Sequence, residues 1–597
     1  MPKRKPTIRY TSRDYATIRR DLLAYAERYY PDTFRDFNEA SFGSLMVDTV
    51  SYIGDILSFY LDYQANESFL DTAIEYNNVI RHGRQMGYKY ARTHASIGAL
   101  SCYVIVPALS EGLGPDTDYI PVLRKNSTFS TNRGNIFTLL EEVDFMKSEN
   151  DIVVAAVNSD TGVPTSYAIK ALGKVMSGEL VQTTIPVGAY EKFKKVEVRD
   201  INITEIVSVF DSEGREYFEV DFLSQNVIYK EILNTSSDST EVPNILKPVV
   251  VPRRFTVINE RRSTFLQFGY GTENVISDNV LADPSDIALN LHGRTYVVDS
   301  SFDPSKLIET DKFGVAPVNT TLRVTYRKNR DSNVNATVGT ITQVVGSNFK
   351  FKNKSSLVST KVNTVINSLE VENENPVVGD VSLPSIDELK IRMGDVFAAQ
   401  NRAVTKQDYK TLVYSMPPKF GAIKRCNIMQ DHDSFKRNMN LYVVSSLRNG
   451  QLAASTSTLK ENLKTWINKS RMINDTVDIL DVKIVNIKID FVATANLEFD
   501  KFVVLNEAIV TLRDHFSVKM DIGENLVVTD IYNKLNKIRG ISDVEQVKIT
   551  NVLGTGYSSV VYNIEDFTSA DENIIYAPEN VIFEVKYLFK DIKGAIK

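Results

Sequence analysis

Cysteine is almost absent from this 597-residue chain: Cys102 and Cys426 are the two present, and no CxxC pair occurs. That count excludes a disulfide framework and a zinc ribbon, and each thiol reads as a small buried side chain. Histidine is scarce as well. His82, His94, His292, His432 and His515 fall at none of the HxH, HxxxH or HExxH spacings that place two imidazoles on one metal. Charge of one sign is lacking too. The 69 basic and 75 acidic residues leave a net charge of −6, so there is no basic excess for phosphates and no nucleic-acid partner is expected. Long apolar runs are missing. The most apolar, Ile53 to Tyr63, is interrupted by Ser58 and Asp62, well short of the roughly 18–20 residues that span a bilayer. No membrane insertion is expected. The start, Met1-Pro-Lys-Arg-Lys-Pro, has no apolar segment and reads as a solvated tail, not as a secretory leader.

Motifs for chemistry are missing in the same way. No GxSxG nucleophile elbow occurs. Phe268-Gly-Tyr-Gly-Thr has neither the Lys-Ser/Thr of a phosphate loop nor the third glycine of a dinucleotide site, so a hairpin turn is expected. Asp431-His432-Asp433 could offer ligands from one turn. Nothing nearby completes a shell, and a polar hairpin tip is expected. Carboxylate pairs for glycoside cleavage are always available among 75 acids, and their separation is a property of the fold. The sequence assigns no catalytic, cofactor-binding or metal-binding residue. No cofactor and no enzymatic activity are expected.

What is present is a long, aromatic, helical N-terminal region. A first helix, capped by Thr11 or Ser12 and closed by Pro31, carries Tyr15, Ile18, Leu22, Tyr25 and Tyr29. Their 3-4-3-4 spacing is the seam of a coiled coil, and both intrachain packing and an intermolecular bundle fit it. A second helix, from about Phe42 to Gln64, is apolar nearly all round through Leu45, Met46, Val50, Ile53, Ile56, Leu57, Phe59, Tyr60 and Leu61. Such a helix is expected to be buried on several sides. Asp48, Asp55 and Asp62 lie seven apart and form one stripe. Two helical turns separate neighbours by about 10 Å, too far to share a metal, so a solvated or salt-bridged face is expected, with a partner-facing charge stripe as the alternative. A third helix, from about Glu67 to Gln85, is patterned by Phe69, Leu70, Ala73, Ile74 and Ile80 and ended by Gly87. These helices carry more large side chains than a hairpin can cover. The partner-facing set is therefore Tyr15, Ile18, Leu22, Tyr25, Tyr29, Leu45, Phe59, Tyr60, Phe69 and Leu70.

From Ala99 the pattern turns to short strands, among them Lys194 to Val198, Glu205 to Phe210, Tyr217 to Val220 and Thr321 to Tyr326. An antiparallel sandwich or linked small sheets are expected. Asn234 to Thr240 reads as an exposed loop. Helical signals return at Ser385, where a capping box with Glu388 precedes a face of Ile386, Leu389, Met393 and Phe397. Thr405-Lys-Gln-Asp starts another helix. Two strand–helix passages follow, one with a helix capped by Thr458 and Glu461, the other with helices at Leu505 to Phe516 and Val528 to Ile538. They suggest two copies of one compact design. The fold class is multidomain α+β: an N-terminal helical hairpin or bundle, a β-rich middle and C-terminal α/β modules. The expected divisions are 1–95, 96–265, 266–375, 376–480 and 481–597, with self-association in the last.

Several passages together carry a resemblance. Asp36-Phe-Asn-Glu, Ser41-Phe-Gly-Ser, Asp55-Ile-Leu-Ser-Phe-Tyr-Leu-Asp, Asn66-Glu-Ser-Phe-Leu-Asp-Thr-Ala and Arg84-Gln-Met-Gly-Tyr open the series. Phe265-Leu-Gln-Phe-Gly-Tyr-Gly, Thr321-Leu-Arg-Val-Thr-Tyr-Arg and Asn401-Arg-Ala-Val-Thr-Lys-Gln-Asp-Tyr follow in order. They resemble the baseplate wedge subunit of contractile-tailed bacteriophages, of the baseplate J-like family. Residues 150–260 match poorly, and Gly379-Asp-Val-Ser-Leu-Pro departs from the Gly-Gly pair common there. The resemblance implies a structural virion protein of the tail baseplate, assembled in the host cytoplasm. It implies homodimer contacts, joining to other wedge proteins through N-terminal helices, and a ring of wedges around the tail hub that rearranges on sheath contraction. The β-rich middle keeps a tail-associated receptor-binding (adhesin) module as the alternative, although the repeats and glycine-rich stretches of fibre-like adhesins are lacking. A tail enzyme acting on cell-wall glycan has only the abundance of acids behind it.

Overall fold

Helix α1 spans Tyr15–Tyr29, α2 spans Phe42–Glu67 and α3 spans Tyr76–Gln85 in the computed structural model of the chain. Further along come α4 (Ser359–Asn367), α5 (Ile386–Ala399), α6 (Lys406–Tyr414), α7 (Ser457–Ile467), α8 (Lys501–Ser517) and α9 (Val528–Asn536). The structure describes residues 14–30, 41–109, 114–233, 244–272, 313–330, 333–431, 438–496 and 498–597. The expected caps Thr11 and Ser12, the stop at Pro31, the basic start, the 234–240 loop, His292 and the His432-Asp433 tip lie outside the described residues.

Chain contacts divide the protein into two compact units, residues 1–90 with 384–398, and residues 91–383 with 399–597. In the first, Asp14 holds the N-cap position of α1, and Ser41 caps α2 by accepting the Ser44 N–H at 3.1 Å. The third helix is shorter than its sequence pattern. It starts at Tyr76 instead of near Glu67, and residues 68–75 turn around the Glu67 carboxylate. Glu67 is 5% exposed and accepts the N–H groups of Ile74 at 2.8 Å and Glu75 at 3.2 Å, and the Asn78 amide at 2.9 Å. A carboxylate used this way satisfies backbone donors that would otherwise be orphaned ahead of a helix. Burial opposes its charge, but the donors from Asn78, Ile74 and Glu75 and the nearby Lys390 charge hold the group below the usual carboxylate range. Gly87, at φ +87°, ends α3.

A small core joins α3 to α5. It contains Ala73, Val79, Ile80, Tyr88 and Tyr90 with Leu389 and Met393. Residues 384–398 therefore belong with the N-terminal helices, and the expected division at 95 misses them. Phe397 does not share the buried face expected for it and is 60% exposed. Ser385 caps α5 by accepting the Glu388 N–H at 3.2 Å, while Glu388 pairs with Arg392 at 2.6 Å. Leu389→Ala should lower the stability of this unit by about 2–5 kcal/mol, the range for a fully buried leucine, measured by urea unfolding of the full chain.

In the second unit, a seven-stranded sheet runs in the order Ile341–Gly346, Thr128–Thr131, Ile136–Leu139, Pro164–Ser177, Ile97–Pro107, Glu370–Glu372. The strand Asp151–Val157 is added on Pro164–Ser177. A second seven-stranded sheet runs Glu179–Val187, Thr320–Lys328, Ile203–Phe210, Glu216–Glu219, Arg254–Asn259, Thr264–Phe268, Lys195–Val198. Pairing is antiparallel throughout both, except between Phe218 and Arg254, where it is parallel. Linked sheets are thus the outcome for the β-rich middle. The expected division at 265/266 falls inside the second sheet, because Thr264–Phe268 pairs with Arg254–Asn259 on one side and Lys195–Val198 on the other.

The Phe268-Gly-Tyr-Gly motif is not a hairpin turn. A Cβ on Gly269 would lie 2.2 Å from the Phe313 carbonyl oxygen, and Gly271 bridges Val315 in parallel. The motif is a close crossing of two segments that only glycine admits.

The C-terminal part holds two cores. The first packs α6 and α7 on strands Arg425–Gln430, Asn438–Ser446 and Thr476–Asp481 through Tyr409, Leu412, Leu459 and Leu463. Thr405 and Asp408 close a full capping box on α6. Helix α7 is capped by Thr456, not Thr458, which lies buried inside the helix. The second core wraps α8 and α9 around the long strand Lys483–Ala495. That strand pairs antiparallel with Ile541–Asn551 and parallel with Val581–Glu584 and Ile592–Ile596. The two passages do not share a connection: α7 links parallel strands, whereas α8 and α9 link antiparallel ones.

Candidate assembly site on the N-terminal helices

Helix α2 is inside out. Its buried residues are Ser44, Ser51, Ser58 and Glu67, not its large apolar ones. Ser44, Asp48, Ser51, Asp55, Ser58 and Asp62 recur at 4-3-4-3-4 spacing, a coiled-coil seam written in small polar residues. At its N-terminal end this seam faces α1. Arg19 pairs with Asp48 at 2.5 Å and donates to the Ser44 hydroxyl at 3.4 Å. Ile18 fits against Gly54, where a Cβ would lie 3.1 Å from its Cδ1 atom. The Arg19 hydrogen bond, together with one from Tyr15, holds the Asp48 carboxyl below its usual range. Small residues let the two backbones approach, and the polar groups meet partners inside the pair.

The large residues face the other way. Met46, Val50, Ile53, Leu57 and Tyr60 recur at 4-3-4-3 spacing and are 51 to 62% exposed. At 100° per residue this second seam lies about 200° around the helix from the serine seam. Phe42, Leu45, Tyr52 and Phe59 line a third exposed row beside it. A soluble monomer seldom shows a contiguous apolar strip of this length.

The structure places the sequence-derived set as follows. Leu45, Phe59, Tyr60 and Phe69 are exposed. Leu70 packs on the small core of α3 and α5. On α1, Ile18 and Leu22 are half-buried, while Tyr15, Tyr25 and Tyr29 are exposed, and the Tyr25 and Tyr29 rings meet at 4.7 Å. In the Asp stripe, Asp48 is salt-bridged, and Asp55 and Asp62 are half-buried on the same side. The expectation that α2 is buried on several sides is corrected: within this chain it is covered along its serine seam. The serines at every seventh position were the signal that the sequence reading passed over.

Other titratable groups carry structural work. Cys102 and Cys426 are buried, and burial pushes the Cys102 thiol up to about 12. His82 meets the Glu67 carbonyl through Nε2 at 2.8 Å. Lys519 pairs with the buried Glu584 at 2.7 Å. Among the described residues no group of His, Cys, Asp and Glu is arranged to hold a metal, and no helix is long and apolar enough to cross a membrane.

This geometry leaves an apolar helix face exposed opposite a buried serine seam. Residues 14–85, which hold α1, α2 and α3, match the family model for the bacteriophage baseplate protein, N-terminal domain. That match supports a baseplate protein. Curated protein sequences give no match. Among solved structures, a chain of the anti-feeding prophage (AFP) baseplate is similar at 8% identity, over 96% of this chain and 98% of that one, with a TM-score of 0.27. A chain of the type VI secretion system TssK-TssF-TssG baseplate subcomplex is similar at 8% identity, over 74% of this chain and 96% of that one, with a TM-score of 0.24. Overlaps so loose carry no argument, and the functional reading rests on the N-terminal match and the helix geometry.

Proposed function

We propose that the protein is a structural wedge subunit of a contractile phage tail baseplate, without enzymatic activity. It joins other baseplate proteins through its N-terminal helices and takes part in a ring of wedges around the tail hub. That ring rearranges when the sheath contracts. The observation that carries this reading is the exposed apolar seam of α2, which lies inside the segment that matches the baseplate N-terminal domain. A helix that turns its serines inward and its large side chains outward is complementary to further helices in a bundle. Homodimer contacts, with the partner helices supplied by a second copy and by another wedge protein, complete the proposal.

The test removes α1 and most of α2 by deleting residues 1–62. The cut spares Glu67, and with it the turn before α3 and the small core with α5. The truncated chain should keep the unfolding transition of the second unit and fail to enter baseplates when it replaces the full chain. Normal incorporation of the truncated chain would refute the helical-joint reading.

A further inference from the structure

Residues 585–591 join strands Val581–Glu584 and Ile592–Ile596 and read Val-Lys-Tyr-Leu-Phe-Lys-Asp. The cations here rest on rings. Lys590 Nζ lies 5.3 Å from the centre of the Tyr557 ring and 5.9 Å from that of Tyr587, and Lys586 Nζ lies 6.0 Å from Tyr587. From α8, the Arg513 guanidinium sits 4.2 Å over the Phe589 ring, and its Nε–H donates to the Leu588 carbonyl at 3.1 Å. Contacts of this kind hold a charge in place without neutralising it. Among the described residues no carboxylate pairs with any of the three cations. The one acid of the loop, Asp591, is 2% exposed and engaged inside it, accepting the Tyr557 hydroxyl at 2.7 Å and the Tyr587 N–H at 2.9 Å. The Tyr587 hydroxyl donates to the Gly556 carbonyl at 3.3 Å, which ties the loop to the neighbouring turn. Between the two lies a cleft of about 530 Å³, lined by Thr555, Lys586, Tyr587, Leu588, Phe589 and Lys590.

We propose that this cleft is the docking site for an extended acidic segment of a partner protein, with apolar side chains interleaved among its carboxylates. Charge complementarity carries the choice of occupant. The chain as a whole has a net charge of −6, yet two lysines and no acid line the cleft, and Arg513 covers its most exposed ring, Phe589, at 81% exposure. A single anion would meet one or two of these cations. A run of carboxylates set apart by apolar residues meets the cations and the rings together. A nucleic-acid strand would need open ring faces for its bases. One face of Phe589 is taken by Arg513, and Tyr557 and Tyr587 meet edge to face at 5.4 Å. The site lies in the second unit, and it does not depend on the helical joint or on the baseplate reading.

Fluorescence anisotropy on the full chain tests it. The probe is a labelled peptide, Gly-Asp-Leu-Glu-Asp-Phe-Glu-Asp-Gly, and the control is the same peptide with lysine in place of every acid. The acidic peptide should bind, more weakly as salt is raised, and the lysine peptide should not. Lys586→Glu combined with Lys590→Glu should weaken binding by roughly tenfold or more, since two attractions become repulsions. Lys590→Ser, at an exposed position, should act in the same direction with a smaller loss. The Leu57→Glu, Tyr60→Glu double variant should bind as the native chain does, which separates this cleft from the apolar seam of α2. No binding by the native chain, or equal binding by the lysine variants, would overturn the proposal. Displacement by inorganic phosphate as effective as by unlabelled peptide would assign the cleft to a lone anion, and tighter binding of oligothymidylate would assign it to nucleic acid; either result overturns the acidic segment.

Discussion

Leu57→Glu combined with Tyr60→Glu should leave the isolated protein folded and exclude it from the baseplate. Both side chains sit on the exposed seam of α2, at 57% and 62% exposure, so neither supports the monomer. Glutamate is a good helix former, and exposed replacements away from special features usually change stability by about 0.5 kcal/mol or less. In a bundle the same positions become core. An anchor residue buried at the centre of an interface contributes about 2 kcal/mol or more when removed, so the pair should weaken docking roughly a thousandfold. Ser51→Leu makes the opposite prediction. Ser51 is fully buried on the serine seam, and its hydroxyl donates to the Val47 carbonyl at 2.7 Å. A larger side chain there should destabilise the first unit by about 1–3 kcal/mol through overpacking. Thermal unfolding and incorporation into baseplates, measured on both variants, separate the two faces. Loss of stability in the glutamate variant, or undiminished docking, would mean that the apolar seam is not the joint.

That contrast also shows where the sequence was legible. The 3-4 spacing on α1 and the length of α2 were readable because helical periodicity is local. Which face of α2 turns inward was not, because the usual rule, apolar in and polar out, is reversed here. Serine is small enough to allow close helix approach, and that packing property is weaker in sequence than hydrophobicity. The late start of α3 hid for a related reason. Phe69, Leu70, Ala73 and Ile74 keep a helical pattern, but the Glu67 carboxylate draws the chain into a turn through its own hydrogen bonds. The face of α9 was legible, since Val528, Ile531 and Leu535 are buried as their spacing requires, whereas on α8 Leu512 and Phe516 are buried together with Val504 and Ala508, and the expected Leu505 and Ile509 are only partly buried beside them. The strands Val581–Glu584 and Ile592–Ile596 were not legible, because they are short and find their partner about a hundred residues away in the chain, at Lys483–Ala495. Non-local pairing of that kind leaves little local trace. The same applies to the interleaving of Thr320–Lys328 with strands from before residue 211.

The unfolding free energy of the second unit should fall as pH rises from about 4 to 7, and Asp380 is the expected cause. This carboxyl is 4% exposed, and burial pushes it up to about 7. Backbone N–H groups of Val334, His94 and Val381 act in the other direction, but as partial charges they do not offset the loss of water. In the unfolded chain an aspartic acid ionises near pH 4, so between pH 4 and 7 the folded state binds the extra proton. Stability is then full below the unfolded value and declines until the folded group also ionises. The span of about three units corresponds to at most about 4 kcal/mol. Carboxylates held low, such as Asp200 and Asp211, add stability above their unfolded values and lose it only in stronger acid, so they do not produce a decline in this window. Asp380→Asn removes the titration and keeps an acceptor for the Val334 N–H, which the acid now accepts at 3.2 Å. Urea midpoints at pH 5 and pH 8 should separate in the native protein and draw together in the variant; parallel shifts in both would assign the pH dependence elsewhere. The location gives the measurement a further use. Asn335 donates to the Asp380 carbonyl at 2.8 Å and to the Ser446 carbonyl at 2.6 Å, and accepts from the Ser96 hydroxyl at 2.6 Å. The start of the first sheet's long strand, the segment after the second sheet and the end of a C-terminal strand thus meet at one buried polar knot. If the β-rich middle and the first C-terminal core unfold as one cooperative block, every probe in both should show the Asp380 pH dependence. A probe at Trp466, on α7, that melts without it would show that the knot opens before the C-terminal core does.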